Sequence, residues 1–312
     1  MKHNIKVTII LLAMFIIAQL IGIYATSFYL SDGVKLPYGF DNNIPSEAEK
    51  TTSFYSQFLT SLIVSFVIAI LLVFFLMRIK FLWFIRAWFF VVIALALGIM
   101  INIPAVKLGL PHASFIALAV GIFLAYFKIF QRNVITHNLT ELLIYPGIAV
   151  LFVGFLNIYT TITLLVLISI YDMWAVWRSK FMIKMAKFQM NDVGIFGGFL
   201  VPYAPKAIRE KIKLLRLKYR NKEIPTSVIK RKNIKVGLAI LGGGDVVFPI
   251  IASGVFFKTY HSLPGTLMIT LGASLALVYL FVFGKKKKYY PAMPYLTAGI
   301  FLGMVVGRLL VG

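Results

Sequence analysis

Apolar residues dominate nine stretches of this chain, at 7–30, 55–77, 81–103, 112–130, 141–157, 159–177, 235–257, 263–283 and 291–311. A hydrocarbon layer about 30 Å thick takes about 20 such residues in helical form, so each stretch predicts one transmembrane helix. The first run follows Lys2 and Lys6 and is longer than the roughly 7–15 residues of a signal-peptide core, with no small-residue cleavage site after it. It reads as a retained first span. Only Asn157 and its neighbours separate the fifth and sixth runs, which predicts a tight helical hairpin. The fold class expected is an all-α integral membrane protein, a polytopic bundle of nine transmembrane helices. One long polar segment divides it into an N-terminal six-helix part (1–178), a basic loop (179–234) and a C-terminal three-helix part (235–312).

Composition agrees, since only 13% of residues are charged against about 25% in soluble domains. Lysine and arginine fix the orientation, because cytoplasmic loops collect them. With the N-terminus in the cytoplasm, 27 of the 32 fall on that side, and only Lys35, Lys50, Lys107, Lys258 and Arg308 fall on the other. The C-terminus is therefore expected outside, in a multi-pass protein of the cell membrane. The net charge of +22 then belongs to loops facing anionic lipid, so the bilayer is the expected partner and nucleic acid is not. The absence of cysteine excludes disulfides, thiolate nucleophiles and Cys-ligated metals. Within the basic loop, Ala207–Arg220 puts Ile208, Ile212, Leu215 and Tyr219 on one helical face, the pattern of an interfacial or a solvated basic helix. The segment 32–54, with four of the ten acids and Pro37 and Pro45, reads as exposed irregular structure.

Two of the remaining acids lie inside apolar runs, Asp172 in the sixth and Asp245 in the seventh. A carboxylate there costs roughly 2.5–3.5 kcal/mol on insertion scales, which marks it as functional. Asp172 stands six residues before Arg178 and Asp245 ten residues after Lys235. At about 1.5 Å per helical residue both are expected in the cytoplasmic half, roughly 9 and 15 Å deep. Two carboxyls about 3 Å apart share one proton, so one can act as base toward water while the other polarises a carbonyl. Gly242, Gly243 and Gly244 precede Asp245 and let another backbone approach closely. A packing seam would also use glycines, and a pair of intramembrane acids alone fits an ion relay as well as catalysis.

The motifs around the acids carry a resemblance. Tyr171-Asp172 in the sixth helix, Gly242-Gly243-Gly244-Asp245 in the seventh and Pro291-Ala292-Met293-Pro294 opening the ninth resemble the presenilin and signal-peptide-peptidase family of intramembrane aspartyl proteases. Motif order, helix count and the long loop between helices six and seven extend the resemblance over essentially the whole chain. It implies an endopeptidase acting on transmembrane protein substrates, without cofactor or metal, with Asp172 and Asp245 as the catalytic pair. Tyr171 and Gly242 to Gly244 would shape the site, and Pro291, Ala292 and Met293 would support the active-site and substrate region. The departures are Met293 where the family usually has Leu, and Gly243 where Leu is frequent. The inside N-terminus is the presenilin-like orientation, which implies substrates with their N-termini outside. The compact length looks like a prokaryotic, archaeal-type member.

Other chemistry finds little purchase. His3, His112, His137 and His261 have no His-Glu-x-x-His spacing, and His137 with Glu141 offers two ligands where zinc wants three or four; the two read as an interfacial pair. Gly272-Ala273-Ser274-Leu275 lacks the final glycine of a rhomboid-type serine motif and reads as a packing seam. Gly299, Gly303 and Gly307 form a close-packing stripe, expected to dock the ninth helix near the catalytic pair. Lys285 to Lys288 reads as a charge stop. A prepilin-type peptidase shares Gly-x-Gly-Asp, but Asp245 here is followed by Val246-Val247-Phe248-Pro249 rather than Lys. A proton or cation transporter would need neither the glycines nor Pro291-Ala292-Met293. A substrate unwound for cleavage needs new backbone partners in lipid, expected by strand addition around Thr226–Lys230. The sequence leaves accessory subunits and oligomeric state open.

Overall fold

The computed structural model describes residues 5–31, 34–40, 51–79, 81–131, 133–179, 184–185, 188–203, 208, 237–284 and 290–311. Among them run nine long helices. The N-terminal part holds α1 (Ile5–Tyr29), α2 (Thr52–Ile79), α3 (Leu82–Lys107), α4 (Ala113–Phe130), α5 (Val134–Phe155) and α6 (Ile158–Met173). The C-terminal part holds α7 (Gly243–Tyr260), α8 (Leu263–Phe283) and α9 (Met293–Val311). π-Helical turns at Trp174–Arg178 and Gln189–Val193 follow α6, and two strands, β1 (Gly198–Tyr203) and β2 (Gly237–Gly242), pair antiparallel. Among the described residues every other regular element is helical. Eight of the helices are long and apolar enough to cross a membrane, and α7 is not among them, since its glycines, Asp245, Pro249 and Lys258 dilute its apolar content.

Burial runs opposite to that of a soluble bundle. Large apolar side chains such as Leu71, Trp83, Phe115 and Leu302 face outward, while Gln19, Thr26, Thr161, Ser253 and Asp172 are buried. Small residues draw the helices together. Gly272 meets the backbone of Gly299, Gly303 that of Met268, and Gly307 that of Gly265, so α8 and α9 pack antiparallel. This stripe docks α9 on α8; the face of α9 toward the candidate site carries Thr297, whose hydroxyl lies 2.8 Å from that of Ser169 in α6.

These approaches also fix directions. Gly22 packs on Ile250, and Gly254 lies against Thr26 and Val153, while Tyr145 packs on Gly243, so α1, α5 and α7 run parallel. Gly265, early in α8, lies against Phe256, late in α7, which makes α8 antiparallel to α7 and α9 parallel to it. The start of α9, the start of α7 and the end of α6 therefore share one end of the bundle.

Two expectations change. The seventh run does not start a helix at 235: residues Gly237–Gly242 are extended and α7 starts at Gly243. An apolar run flanked by glycine fits strand and helix alike, and pairing with β1 decides it. The depth of roughly 15 Å reckoned for Asp245 along a helix lapses accordingly. The second concerns α5 and α6, which share the two-residue link Leu156–Asn157, with a capping box between Asn157 and Thr160. They do not lie side by side as a hairpin: α5 packs on α1, α3 and α7, and α6 on α7 and α9. The all-α expectation holds for the bundle, to which β1 and β2 add one short ribbon. Thr226–Lys230, Lys285 to Lys288 and, apart from Ile208, Ala207–Arg220 lie outside the described residues, as does most of 32–54.

Candidate active site

Asp172 is the penultimate residue of α6 and is 3% exposed. Its Oδ2 accepts a hydrogen bond from the backbone N–H of Met293 at 3.1 Å, and its Oδ1 is buried with no hydrogen-bond partner among the described residues. The donor exists because Pro291 and Ala292 remain outside the helix and Met293 opens α9. The first amides of a helix have no partner within it, so they are free for a carboxylate and carry the positive end of the helix dipole. The Pro-Ala-Met segment thus meets Asp172 through its backbone. Tyr171 points the other way: its half-buried ring stands edge-on to Phe66 of α2 at 5.2 Å and near Trp174 at 6.4 Å.

Asp245 is the third residue of α7, again in a first turn. The helix is capped by Gly242, whose extended backbone (φ −63°, ψ 146°) ends β2. A Cβ on Gly242 would lie 3.2 Å from Asp245 Oδ2, so the carboxylate folds back over the cap. A Cβ on Gly243 would come within 2.8 Å of the Tyr145 ring. The departure from leucine at 243 has its reason here, because Tyr145 fills that space. Gly244 differs: it is exposed, and a Cβ would meet only Phe248, at 3.7 Å. Pro249 has no N–H for the Asp245 carbonyl, which loosens the turn behind the acid. Helices α6, α7 and α9 touch one another pairwise, so Asp172 and Asp245 stand on contacting helices at one end of the bundle.

The ribbon lies beside this end. The Asn138 side chain donates to the Leu200 carbonyl at 2.8 Å and accepts from the Leu200 N–H at 3.0 Å, and His137 Nε2 donates to the Gly198 carbonyl at 2.8 Å. Gly198 and Leu200 therefore turn their backbone groups toward α5. Directions alternate along an antiparallel pair, so their partners Gly242 and Ile240, and Leu238 opposite Pro202, turn theirs away from β1. No described strand pairs with that outer edge. On the opposite, α5 side of the ribbon, Glu141 Oε1 and Lys128 Nζ form a buried ion pair at 2.6 Å, with His137 at 3.6 Å from the carboxylate. His137 and Glu141 thus form a pair joined by Lys128, with Glu141 only 2% exposed. Among the described residues no group of three metal-ligating side chains occurs.

A family model described as "Signal-peptide peptidase, presenilin aspartyl protease" matches residues 34–312. The chain belongs to this family. As a member of the presenilin aspartyl protease family it is an intramembrane aspartyl protease, a hydrolase of multi-pass membrane architecture whose family acts on transmembrane substrates. Its fold is similar to solved structures of a presenilin family intramembrane aspartate protease. In the C222 crystal form the TM-score is 0.58 at 18% identity, covering 97% of this chain and 99% of that one. In the P2 form it is 0.58 at 19% identity, covering 96% of each. No curated protein matches in sequence. Nothing in these comparisons supports the prepilin-peptidase or transporter alternatives.

Two residues near the acids escape the sequence reading. Gln19 of α1, fully buried, donates from Nε2 to the Val246 carbonyl at 3.0 Å, one residue past Asp245. It is a polar residue in an apolar run, the same signal that marks the two aspartates. Tyr145 carries no such signal, being one aromatic among many.

Proposed function

We propose that Asp172 and Asp245 are the catalytic pair of this protease. The observation that carries the reading is their setting: two acids on contacting helices, at the same end of the bundle, one held by the first amide of α9 and the other in the first turn of α7. The ionised carboxyl takes a proton from water as its oxygen adds to the substrate carbonyl carbon, and the protonated one donates to the carbonyl oxygen. The resulting diol collapses when the amide nitrogen receives a proton and the C–N bond breaks. No metal or cofactor takes part. Gly242, Gly243, Gly244, Pro291, Ala292 and Met293 frame the pair, while Tyr171, beside Asp172 in the chain, packs its ring against α2 and Trp174.

The substrate segment must be extended to expose its carbonyl, and in lipid its backbone needs partners. The outward edge of β2, at Leu238, Ile240 and Gly242, offers them by strand addition and leads straight into the turn that carries Asp245. The exposed face at Gly244 leaves room for that approach. In the bilayer we place nine spans, with α7 sheltered by its neighbours, the N-terminus in the cytoplasm and the C-terminus outside, on the Lys/Arg distribution. The membrane concerned is the cell membrane.

Binding tests the pair without turnover. A transition-state analogue bearing a hydroxyl in place of the scissile carbonyl is expected to bind the parent and lose affinity at least about 100-fold on Asp245→Asn. Equal affinity would refute the assignment. Activity should follow a bell-shaped pH dependence, as a shared-proton pair does; a single-limbed profile contradicts it.

A further inference from the structure

The buried polar stripe of α5 has no part in the chemistry above. His137, Glu141 and Tyr145 recur every four residues and share one helical face. Lys128 of α4 bonds Glu141 and also reaches Thr140 Oγ1 at 3.5 Å and His137 Nδ1 at 3.4 Å. A buried ion pair seldom adds stability over apolar residues of equal volume, so its presence here points to a role. One end of the stripe holds the Gly198 carbonyl of β1. At the other end the Tyr145 ring stands edge-on to Phe199, at 5.4 Å and 90°, and presses on Gly243.

The Tyr145 hydroxyl is buried and makes no hydrogen bond of normal geometry, and it stands 3.1 Å from where a Cβ on Gly243 would lie. A buried hydroxyl without a partner costs about 1–3 kcal/mol. Gln19 repeats the pattern from α1: its amide donates to Val246 while its Oε1 is buried and unpartnered. Gly243 and Val246 are three residues apart on one face of α7, so polar side chains from α1 and α5 clasp the turn that carries Asp245.

We propose that Tyr145 is a positioning residue for the catalytic carboxylate of Asp245. Its ring sets the seat of Gly243, and with it the first turn of α7. Its hydroxyl is a donor set against the first turn of α7, 3.1 Å from where a Cβ on Gly243 would stand, while Asp245 Oδ2 lies over the neighbouring Gly242. The inference rests on the reading of Asp245 as catalytic.

Tyr145→Phe removes the hydroxyl and keeps the ring. Full-length protein in liposomes, assayed on a transmembrane peptide across pH, should show kcat lowered by about tenfold or more, the scale of one lost hydrogen bond to a charged group. KM should stay within about twofold, one limb of the pH profile should move by about half a unit or more, and the melting temperature should hold or rise by a few degrees, since the hydroxyl removed is buried without a partner. Unchanged kcat and pH limbs overturn the proposal. So does an activity loss that only follows a fall in melting temperature while the pH limbs stay fixed. Gly243→Ala gives a second reading, because its Cβ displaces the ring and spares the hydroxyl: kcat should fall with KM held, and an unchanged kcat counts against the proposal. Asp245→Asn runs alongside, and if it still cleaves, the dyad reading fails and takes this inference with it.

Discussion

Asp172 is anchored by a backbone amide, so the bond itself does not depend on the side chain at the donating position, although Met293 is buried and its volume counts. Met293→Leu keeps the N–H and nearly conserves volume, a change that usually costs under about 1.5 kcal/mol. Cleavage by that variant should stay within about threefold of the parent, and a loss on the scale of an acid mutant would show that the Met293 side chain itself matters. Glu141 makes the opposite case. Glu141→Gln leaves Lys128 buried beside a neutral partner, and breaking such a pair costs about 3–5 kcal/mol. The expected result is a clear drop in melting temperature, largely restored by the double change Lys128→Met, Glu141→Leu; equal melting of Glu141→Gln and the parent would contradict the buried pairing. At this scale the sequence was legible where a polar residue breaks an apolar run. Asp172 and Asp245 stand out that way, and so does Gln19. Glu141 was visible, but its buried pairing was not, since nothing in the chain says that Lys128 folds over it.

The element that decides the site is the junction of β2 and α7. Gly237–Gly242 is apolar and short, so its periodicity cannot separate strand from helix, and its conformation comes from β1, some 40 residues earlier in the chain. The glycines that follow have three separate reasons: a carboxylate over Gly242, a ring against Gly243, open space at Gly244. Alanine at 243 therefore overpacks, at about 1–3 kcal/mol, and should lower the melting temperature of the solubilised protein. Alanine at 244 meets no close neighbour and should leave melting unchanged. On the proposed approach of substrate along the exposed face at Gly244, that variant should nonetheless cleave more slowly. Equal melting of Gly243→Ala and the parent would refute the packing of Tyr145 on this turn, and full activity of Gly244→Ala would refute substrate approach on that face.

At the scale of the whole molecule, hydropathy marks the helices well, and the tripartite motif order marks the family. What sequence could not supply is which helices touch. The short α5–α6 link suggested a hairpin, yet tertiary packing parts the two helices and gives α6 to α9. The orientation rests on charge and is open to a simple check, because the chain has no native cysteine. A single cysteine at Leu108, 75% exposed between α3 and α4, should react with a membrane-impermeant maleimide on intact cells, and one at Phe81, between α2 and α3, only after lysis. The reverse pattern would invert the topology. The central claim is that Asp172 and Asp245 act together, and the most direct measurement is cleavage of a transmembrane peptide by purified protein in liposomes. Asp172→Asn and Asp245→Asn should each reduce the rate by at least about 10⁴-fold, and the double variant should be no slower than either. Robust cleavage by either single variant would contradict the account.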